Sequence, residues 1–240
     1  MCRRDRGRAS AAPPVMTRDI SGYLPRTWAY RPGGFLIGLL LRILGGVRTE
    51  GLENLPRTGP IIIVANHYTL MDPLVAGWGT CYRIGRIVHM VAKIQIKGWP
   101  FFGWLGSQAG VIYVRRGTSD LDAQRALLAV LAAGRAMVIF PEGTRSPTGA
   151  LIPARNGAAL LALRSGAPIV PLGITGTEGM LSWRAIFGRR PRATVVVGQP
   201  FTLGHRPDGP IDRAELTEAS TRLMREVAAL LPPIRRGVYG

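Results

Sequence analysis

His67 and Asp72 are the two residues in this chain best suited to acid–base chemistry. An imidazole exchanges a proton near neutral pH, and a carboxylate beside it fixes its tautomer and stabilises the imidazolium. Both stand in Asn66-His67-Tyr68-Thr69-Leu70-Met71-Asp72, directly after the apolar run Ile61–Val64. That run reads as a strand, and in open α/β sheets ligands collect beyond the carboxyl ends of strands. Asp72-Pro73 reads as a helix start, with Asp as N-cap and Pro at the first helical position. A short loop ending at such a cap can fold back and bring the carboxylate to the imidazole. No serine or cysteine nucleophile is indicated, so the base would act directly on a substrate hydroxyl. The bland alternative is a capping Asp beside an ordinary loop His. The His-to-Asp spacing alone is weak, and the preceding Asn and the strand-to-helix context strengthen it.

A second constellation, Phe140-Pro141-Glu142-Gly143-Thr144-Arg145-Ser146, also follows an apolar run. Gly143 permits a tight turn whose backbone N–H groups can face an anion, and Arg145 adds a forked cation. Glu142 would orient Arg145 or meet a polar acceptor; otherwise the segment is a strand-ending turn with a solvated ion pair. A third run, Gly110-Val111-Ile112-Tyr113-Val114-Arg115-Arg116, reads as a strand aimed at the same sheet edge, with surface charge as the plain alternative. Trp99, Phe101, Phe102 and Trp104 precede it, a composition shared by core, acyl pocket and bilayer contact.

The elements that must position these residues alternate. Short β-branched runs occur at Ile61–Val64, Ile87–Val91, Val111–Val114, Met137–Phe140, Ile169–Ile174 and Thr194–Val197. Helical stretches at Asp72–Gly79, Ser119–Ala133 and Arg155–Arg164 lie between several of them. Continuously apolar strands separated by helices predict an α/β fold with a mixed, largely parallel sheet covered on both faces. Asp212–Leu231 predicts a closing amphipathic helix, with Asp212 as N-cap, Glu215 completing a capping box, and Pro232 as its stop.

At 240 residues the chain suffices for one well-cored domain, and 47% apolar residues exclude a disordered one. Residues 1–19 read as a disordered basic tail, with Met16 a plausible alternative start. Residues 20–48 read as a membrane-interfacial helical element, and residues 49–240 as the catalytic domain. The apolar run Phe35–Leu44 is too short to span a bilayer and carries Arg42; aromatic residues and arginines beside it suit the headgroup region, as an ordinary packed helix also would. The net charge of +17, carried by 29 arginines and two lysines, favours a polyanionic partner. The arginines are scattered, which argues for an anionic membrane surface over nucleic acid. The exception is Arg184, Arg189, Arg190 and Arg192 beside Trp183, Ile186 and Phe187, a mixture that suits bilayer docking or a solvated loop. Two cysteines and three histidines without paired spacing predict neither a metal nor a disulfide framework. No apolar segment follows the N-terminal arginines, so a signal peptide is not expected.

Together the blocks resemble the 1-acyl-glycerol-3-phosphate acyltransferase family of lysophospholipid acyltransferases. The resemblance runs from about Gly51 to Phe201. It covers Asn66–Asp72, Gly110–Arg116, Phe140–Arg145 and Val170-Pro171 in the family's order. It implies a glycerolipid-acyltransferase-like α/β fold, a lysophosphatidic acid acceptor, and acyl-CoA or acyl-carrier protein as co-substrate, with no further cofactor. It implies His67 and Asp72 as the catalytic dyad, and Arg116, Glu142, Gly143, Thr144 and Arg145, with Asn66, on the acceptor side. Lys93, a further substrate-binding candidate, stands where the family often has Lys-x-Glu, but here Gln95 replaces the Glu. Such an enzyme would work at the cytoplasmic face of the membrane, peripherally or monotopically. The competing classes are transfer to another lysophospholipid or glycerol phosphate and, more remotely, a non-enzymatic nucleic-acid- or lipid-binding protein.

Overall fold

Ile61-Ile62-Ile63-Val64-Ala65 is buried along its whole length, which only a strand covered on both faces allows. In a computed structural model, residues 27–98, 106, 110–115, 121–181 and 192–240 are described. Among them seven strands form one sheet: β1 (Val47–Glu50), β2 (Ile61–Ala65), β3 (Val88–Lys93), β4 (Ile112–Val114), β5 (Ala136–Ile139), β6 (Ile169–Thr175) and β7 (Ala193–Val197). Their spatial order is β1-β7-β6-β2-β5-β3-β4. Strands β6, β2, β5, β3 and β4 are mutually parallel, while β7 runs antiparallel to β6 and carries β1 parallel to itself. The carboxyl ends of β6, β2 and β5 therefore emerge side by side, which places the His67 and Glu142 loops on one edge.

The alternation of side chains along each strand divides the core into two layers. Ile61, Ile63 and Ala65 of β2 face one side with Val138, Val170, Leu172 and Val195. That side is covered by α1 (Thr27–Ile43) and α2 (Asp72–Gly79) through Leu41, Val75 and Ala76. Ile62 and Val64 face the other side with Met137, Ile139 and Ile169. The short α3 (Ile94–Lys97) directly follows β3, and the second layer is closed by α4 (Leu121–Ala132), α5 (Gly157–Ser165) and α6 (Arg213–Ala229). Leu127, Leu131, Leu161, Leu223 and Val227 supply much of that contact. Each fully buried aliphatic side chain of this kind contributes roughly 1.5–3 kcal/mol of transfer free energy.

Helix α1 lies close against α2 and the turn after it because Gly34 and Gly38 lack side chains: a Cβ there would enter the rings of Tyr82, in the turn Cys81–Ile84, and Trp78, on α2. Its opposite face leaves Phe35, Leu36, Leu39, Leu40 and Ile43 exposed. Among the described residues no helix is long and apolar enough to cross a membrane.

The expected mixed, largely parallel sheet is what the chain forms, and six strands and four helices fall within a few residues of their expected places. The seventh strand, β1, has no counterpart among the apolar runs of the sequence. It is a four-residue edge strand of sequence VRTE with only alternate residues half-buried, too short and polar to announce itself. It begins at Val47, so the boundary expected at residue 48 falls inside the sheet. Two cap expectations also differ. Helix α2 begins at Asp72 itself, with Met71 as its cap residue, because the Asp72 carboxylate is taken up by the preceding loop. Asp212 does cap α6, accepting from Arg213 N at 2.7 Å, but Glu215 pairs with Arg206 at 3.3 Å. The basic tail, the aromatic cluster at 99–104 and the Trp183–Arg190 segment lie outside the described residues.

Candidate active site

Asp72 is fully buried at the first residue of α2, where a charge survives only among hydrogen-bond donors. Its Oδ2 accepts from Tyr68 N at 2.5 Å and Thr69 N at 2.6 Å. Its Oδ1 accepts from Thr69 Oγ1 at 2.9 Å and Thr177 Oγ1 at 2.6 Å. His67 Nδ1 completes the set, 3.2 Å from Oδ2. Burial alone would push the carboxyl up, but hydrogen bonds from His67, Thr177, Thr69 and Tyr68 outweigh it and hold Asp72 below the usual carboxylate range. An ionised Asp72 makes Nδ1 the protonated nitrogen, which leaves Nε2 with a lone pair able to accept a proton. The His67 side chain keeps 16% of its surface exposed. Phe140 lies beside the ring, 4.5 Å between centroids.

The backbone of His67 is fixed by the second motif. Its N–H donates to Glu142 Oε2 at 2.7 Å, and its carbonyl accepts from Ser146 N at 2.8 Å. Glu142 is itself buried and also accepts from Ile152 N at 3.3 Å. Burial pushes its carboxyl up to about 7; the His67 and Ile152 amides offset only part of this, and the Asp72 charge adds to the rise. Three consecutive backbone amides, those of residues 67, 68 and 69, thus end on two buried carboxylates.

The other residues singled out from sequence have distinct placements. Asn66 is buried, and its amide bonds the backbone of Ile174 in both directions, Nδ2 to the carbonyl at 2.9 Å and Oδ1 from the N–H at 2.8 Å. Any substrate contact by Asn66 Oδ1 would compete with that buried bond. Gly143 takes φ +67°, and its N–H closes the turn onto Phe140 O at 3.0 Å instead of facing outward. Thr144 and Arg145 are exposed on the same loop. Lys93 ends β3, one strand beyond β5 on the same edge. Arg116 lies outside the described residues, and the adjacent Arg115 follows β4, which β3 and β5 separate from β2. The Glu142 carboxylate is thus taken up by the His67 and Ile152 amides.

Sequence reasoning missed Thr69, Thr177 and Ser146. Thr177 is 105 residues from Asp72 in the chain. Its only sequence signal is that it follows a strand, and it becomes meaningful once β6 is known to adjoin β2. Among the described residues no group of three or more His, Cys, Asp or Glu converges as a metal site.

Residues 46–175 match the family model described as Acyltransferase. A chloroplastic 1-acyl-sn-glycerol-3-phosphate acyltransferase of Brassica napus is 34% identical over 144 residues, 55% of this chain and 40% of the relative. A lyso-ornithine lipid O-acyltransferase of Pseudomonas aeruginosa is 29% identical over 185 residues, 69% of this chain and 67% of the relative. The chain thus spans about two fifths of the Brassica relative's length. The crystal structure of the 1-acyl-sn-glycerophosphate (LPA) acyltransferase of Thermotoga maritima shares the fold, with TM-score 0.60 over 83% of this chain and 79% of that one at 24% identity.

The raised Glu142 carboxyl predicts a pH dependence of stability. The folded protein holds this proton more tightly than the unfolded chain, whose value is the ordinary 4.5. The contribution is therefore complete below about pH 4.5 and is lost as the pH passes about 7. Between about pH 5.5 and about pH 8.5 the wild type should lose about 2 kcal/mol of urea-unfolding free energy through this group. Glu142→Gln keeps an acceptor for His67 N and cannot ionise, so its loss should be smaller by that amount. Equal pH slopes in the two proteins would show that another group titrates.

Proposed function

The chain belongs to the acyltransferase family, and from that premise we propose that it moves a fatty acyl group from acyl-CoA or an acyl-carrier protein to the free hydroxyl of lysophosphatidic acid, giving phosphatidic acid. The observation that carries the reading is the His67 imidazole, oriented by buried Asp72 at a strand-end edge with Nε2 left to act. In this reading Nε2 takes the acceptor hydroxyl proton as the oxygen attacks the thioester carbonyl. The tetrahedral intermediate then expels the thiolate, which receives the proton from the imidazolium. A thioester carbonyl is already electrophilic, so the reading asks for no cofactor beyond the donor itself. Arg145, exposed on the loop that holds His67, is the cation for the acceptor phosphate; Arg116 and Lys93 are further candidates for that task.

The match to a lyso-ornithine lipid acyltransferase favours a second reading, in which the acceptor is an amino-acid lipid without a phosphate. The two readings share the dyad and differ in what Arg145 does.

We further place the enzyme on the cytoplasmic face of an anionic bilayer. Phe35, Leu36, Leu39, Leu40 and Ile43 form one exposed stripe along α1, with Phe35 66% exposed. Arg31 and Arg42, both exposed, flank the stripe. Five large apolar side chains on one exposed helix face exceed what scattered surface residues provide, and basic flanks suit anionic headgroups.

Product analysis with labelled acyl-CoA and a panel of lysophospholipids tests the assignment. His67→Ala should lower turnover by about 100- to 10,000-fold, and Asp72→Asn should approach that loss. Retention of more than about a tenth of wild-type turnover by His67→Ala would remove the general base from the proposal. Wild type should prefer lysophosphatidic acid over a monoacylglycerol, and Arg145→Ala should erase about 10- to 100-fold of that preference. Equal losses on both acceptors would move the phosphate site elsewhere, and turnover of lyso-ornithine lipid alone would establish the second reading.

Replacing Phe35, Leu39 and Leu40 together by serine leaves the buried Leu41 in place. This variant should cosediment with anionic liposomes about tenfold less well than wild type at matched salt, with unchanged thermal melting. Undiminished binding would show that α1 is not the docking element.

A further inference from the structure

We propose that Arg235, which lies outside the family-matched residues 46–175, is a positioning residue for the His67–Asp72 pair. The proposal rests on the dyad reading above and adds a part of the chain that neither the motifs nor the family match reach. Helix α6 is anchored in the core by Leu223, Met224 and Val227, and Leu231 still packs there just beyond its end. Pro232 and Pro233 then fix the chain direction, and Pro233–Arg235 makes a single tight turn. This delivers Arg235 to the active-site edge.

There its guanidinium lies 5.0 Å from the centroid of the Tyr68 ring, and its Nη2 meets Glu178 Oε1 at 2.5 Å. Each of these partners is next in sequence to a group on the dyad. Tyr68 follows His67, and its own N–H donates to Asp72 Oδ2. Glu178 follows Thr177, whose hydroxyl donates to Asp72 Oδ1. The contacts close a ring: Asp72, Tyr68, Arg235, Glu178, Thr177 and back to Asp72. The main chain joins in, since Arg235 O accepts from Leu151 N at 2.9 Å and Ile152 N reaches Glu142, the carboxylate under His67. Tyr239 Oη accepts from Ala154 N at 2.8 Å and secures the end of the same turn. Gly149, at φ +80°, is packed so closely that a Cβ would enter the Arg235 guanidinium and lie 3.1 Å from Tyr68 Cζ.

A partly exposed ion pair adds little to global stability. Its consequence is local: without Arg235, Tyr68 and Glu178 lose a common partner, and the loops donating to the two Asp72 oxygens can shift independently. Displacements of about 1 Å at a catalytic base cost up to about 100-fold in turnover. Arg235 thus acts on the chemical step through its neighbours and does not touch the substrate.

Steady-state kinetics of purified Arg235→Ala, Arg235→Lys and His67→Ala with lysophosphatidic acid and acyl-CoA tests this, at a temperature well below the melt of each. Arg235→Ala should lower kcat by about 10- to 100-fold with both KM values within about twofold of wild type. Arg235→Lys should recover much of kcat, because an ammonium still pairs with Glu178 and sits over Tyr68. The double variant Arg235→Ala/Glu178→Gln should be little worse than Arg235→Ala, as expected for residues acting as one unit. Unchanged kcat in Arg235→Ala overturns the proposal. So does a raised acceptor KM at unchanged kcat, which would make Arg235 an acceptor-binding group. An active His67→Ala would instead overturn the dyad reading, so the two failures are distinct. Should Arg235→Ala not fold, Glu178→Gln and Tyr68→Leu decide: both must lower kcat at unchanged KM, and wild-type turnover in either overturns the proposal.

Discussion

A carboxylate with no exposed surface is the constraint around which this site is organised. Asp72 has given up its hydration, and ionisation is sustained only by donors fixed around both oxygens. Four of its five contacts come from residues 67–69, and the fifth comes from Thr177 beyond β6. Satisfying that one group therefore bends the whole loop after β2 and ties it to the neighbouring strand end. The imidazole orientation is a by-product of the same wrapping, since the residue before Tyr68 has little freedom once its neighbours are pinned. Strand order makes this possible: β2 lies between β5 and β6, all three parallel, so three loops open onto one edge.

The second buried carboxylate behaves differently for a physical reason. Glu142 receives only two backbone amides, one of them at 3.3 Å, and lies within the field of Asp72. Desolvation dominates, and its proton is held far more tightly than that of Asp72. Two acidic side chains near one histidine thus differ: Asp72 is held below the usual carboxylate range and hydrogen-bonded to the ring, while Glu142 is able to be neutral and still accept from the His67 amide. Were both anionic in this buried space, their repulsion would act on the loop that carries His67.

Much of this was legible in sequence where local chemistry decides the outcome. The continuous apolar run of β2 and the Asp72-Pro73 start of α2 identify their elements directly, and the spacing of His67 and Asp72 matches the pair that the fold forms. What was not legible depends on partners distant in the chain. Asp72 resembles an N-cap because its type and position fit one, yet its oxygens turn back toward Tyr68 and Thr69 and across to Thr177. Asn66 and Glu142 look like ligand-binding residues by their motif positions, and their side chains prove to be taken up by backbone groups of Ile174, His67 and Ile152. Strand β1 was invisible because an edge strand needs neither apolar continuity nor length. Arg235 carried no signal at all, since its meaning arises only when the chain returns to the edge.

This distribution of tasks bears on how such a site can discriminate among acceptors. The buried polar groups of the two motif loops, Asn66, Asp72, Glu142 and Ser146, and Thr177 beyond β6 each already hold a protein partner. Recruiting one to a substrate would cost about 1–3 kcal/mol for the partner left unsatisfied and would loosen His67 at the same time. The groups on these loops that solvent still reaches are Thr144, Arg145 and Leu70, the last 59% exposed, and under the proposed function they are the ones a lipid acceptor would meet. Such residues can change without disturbing the wrapped carboxylate, so under the proposed function the acceptor could vary while the His67–Asp72 pair stays in place.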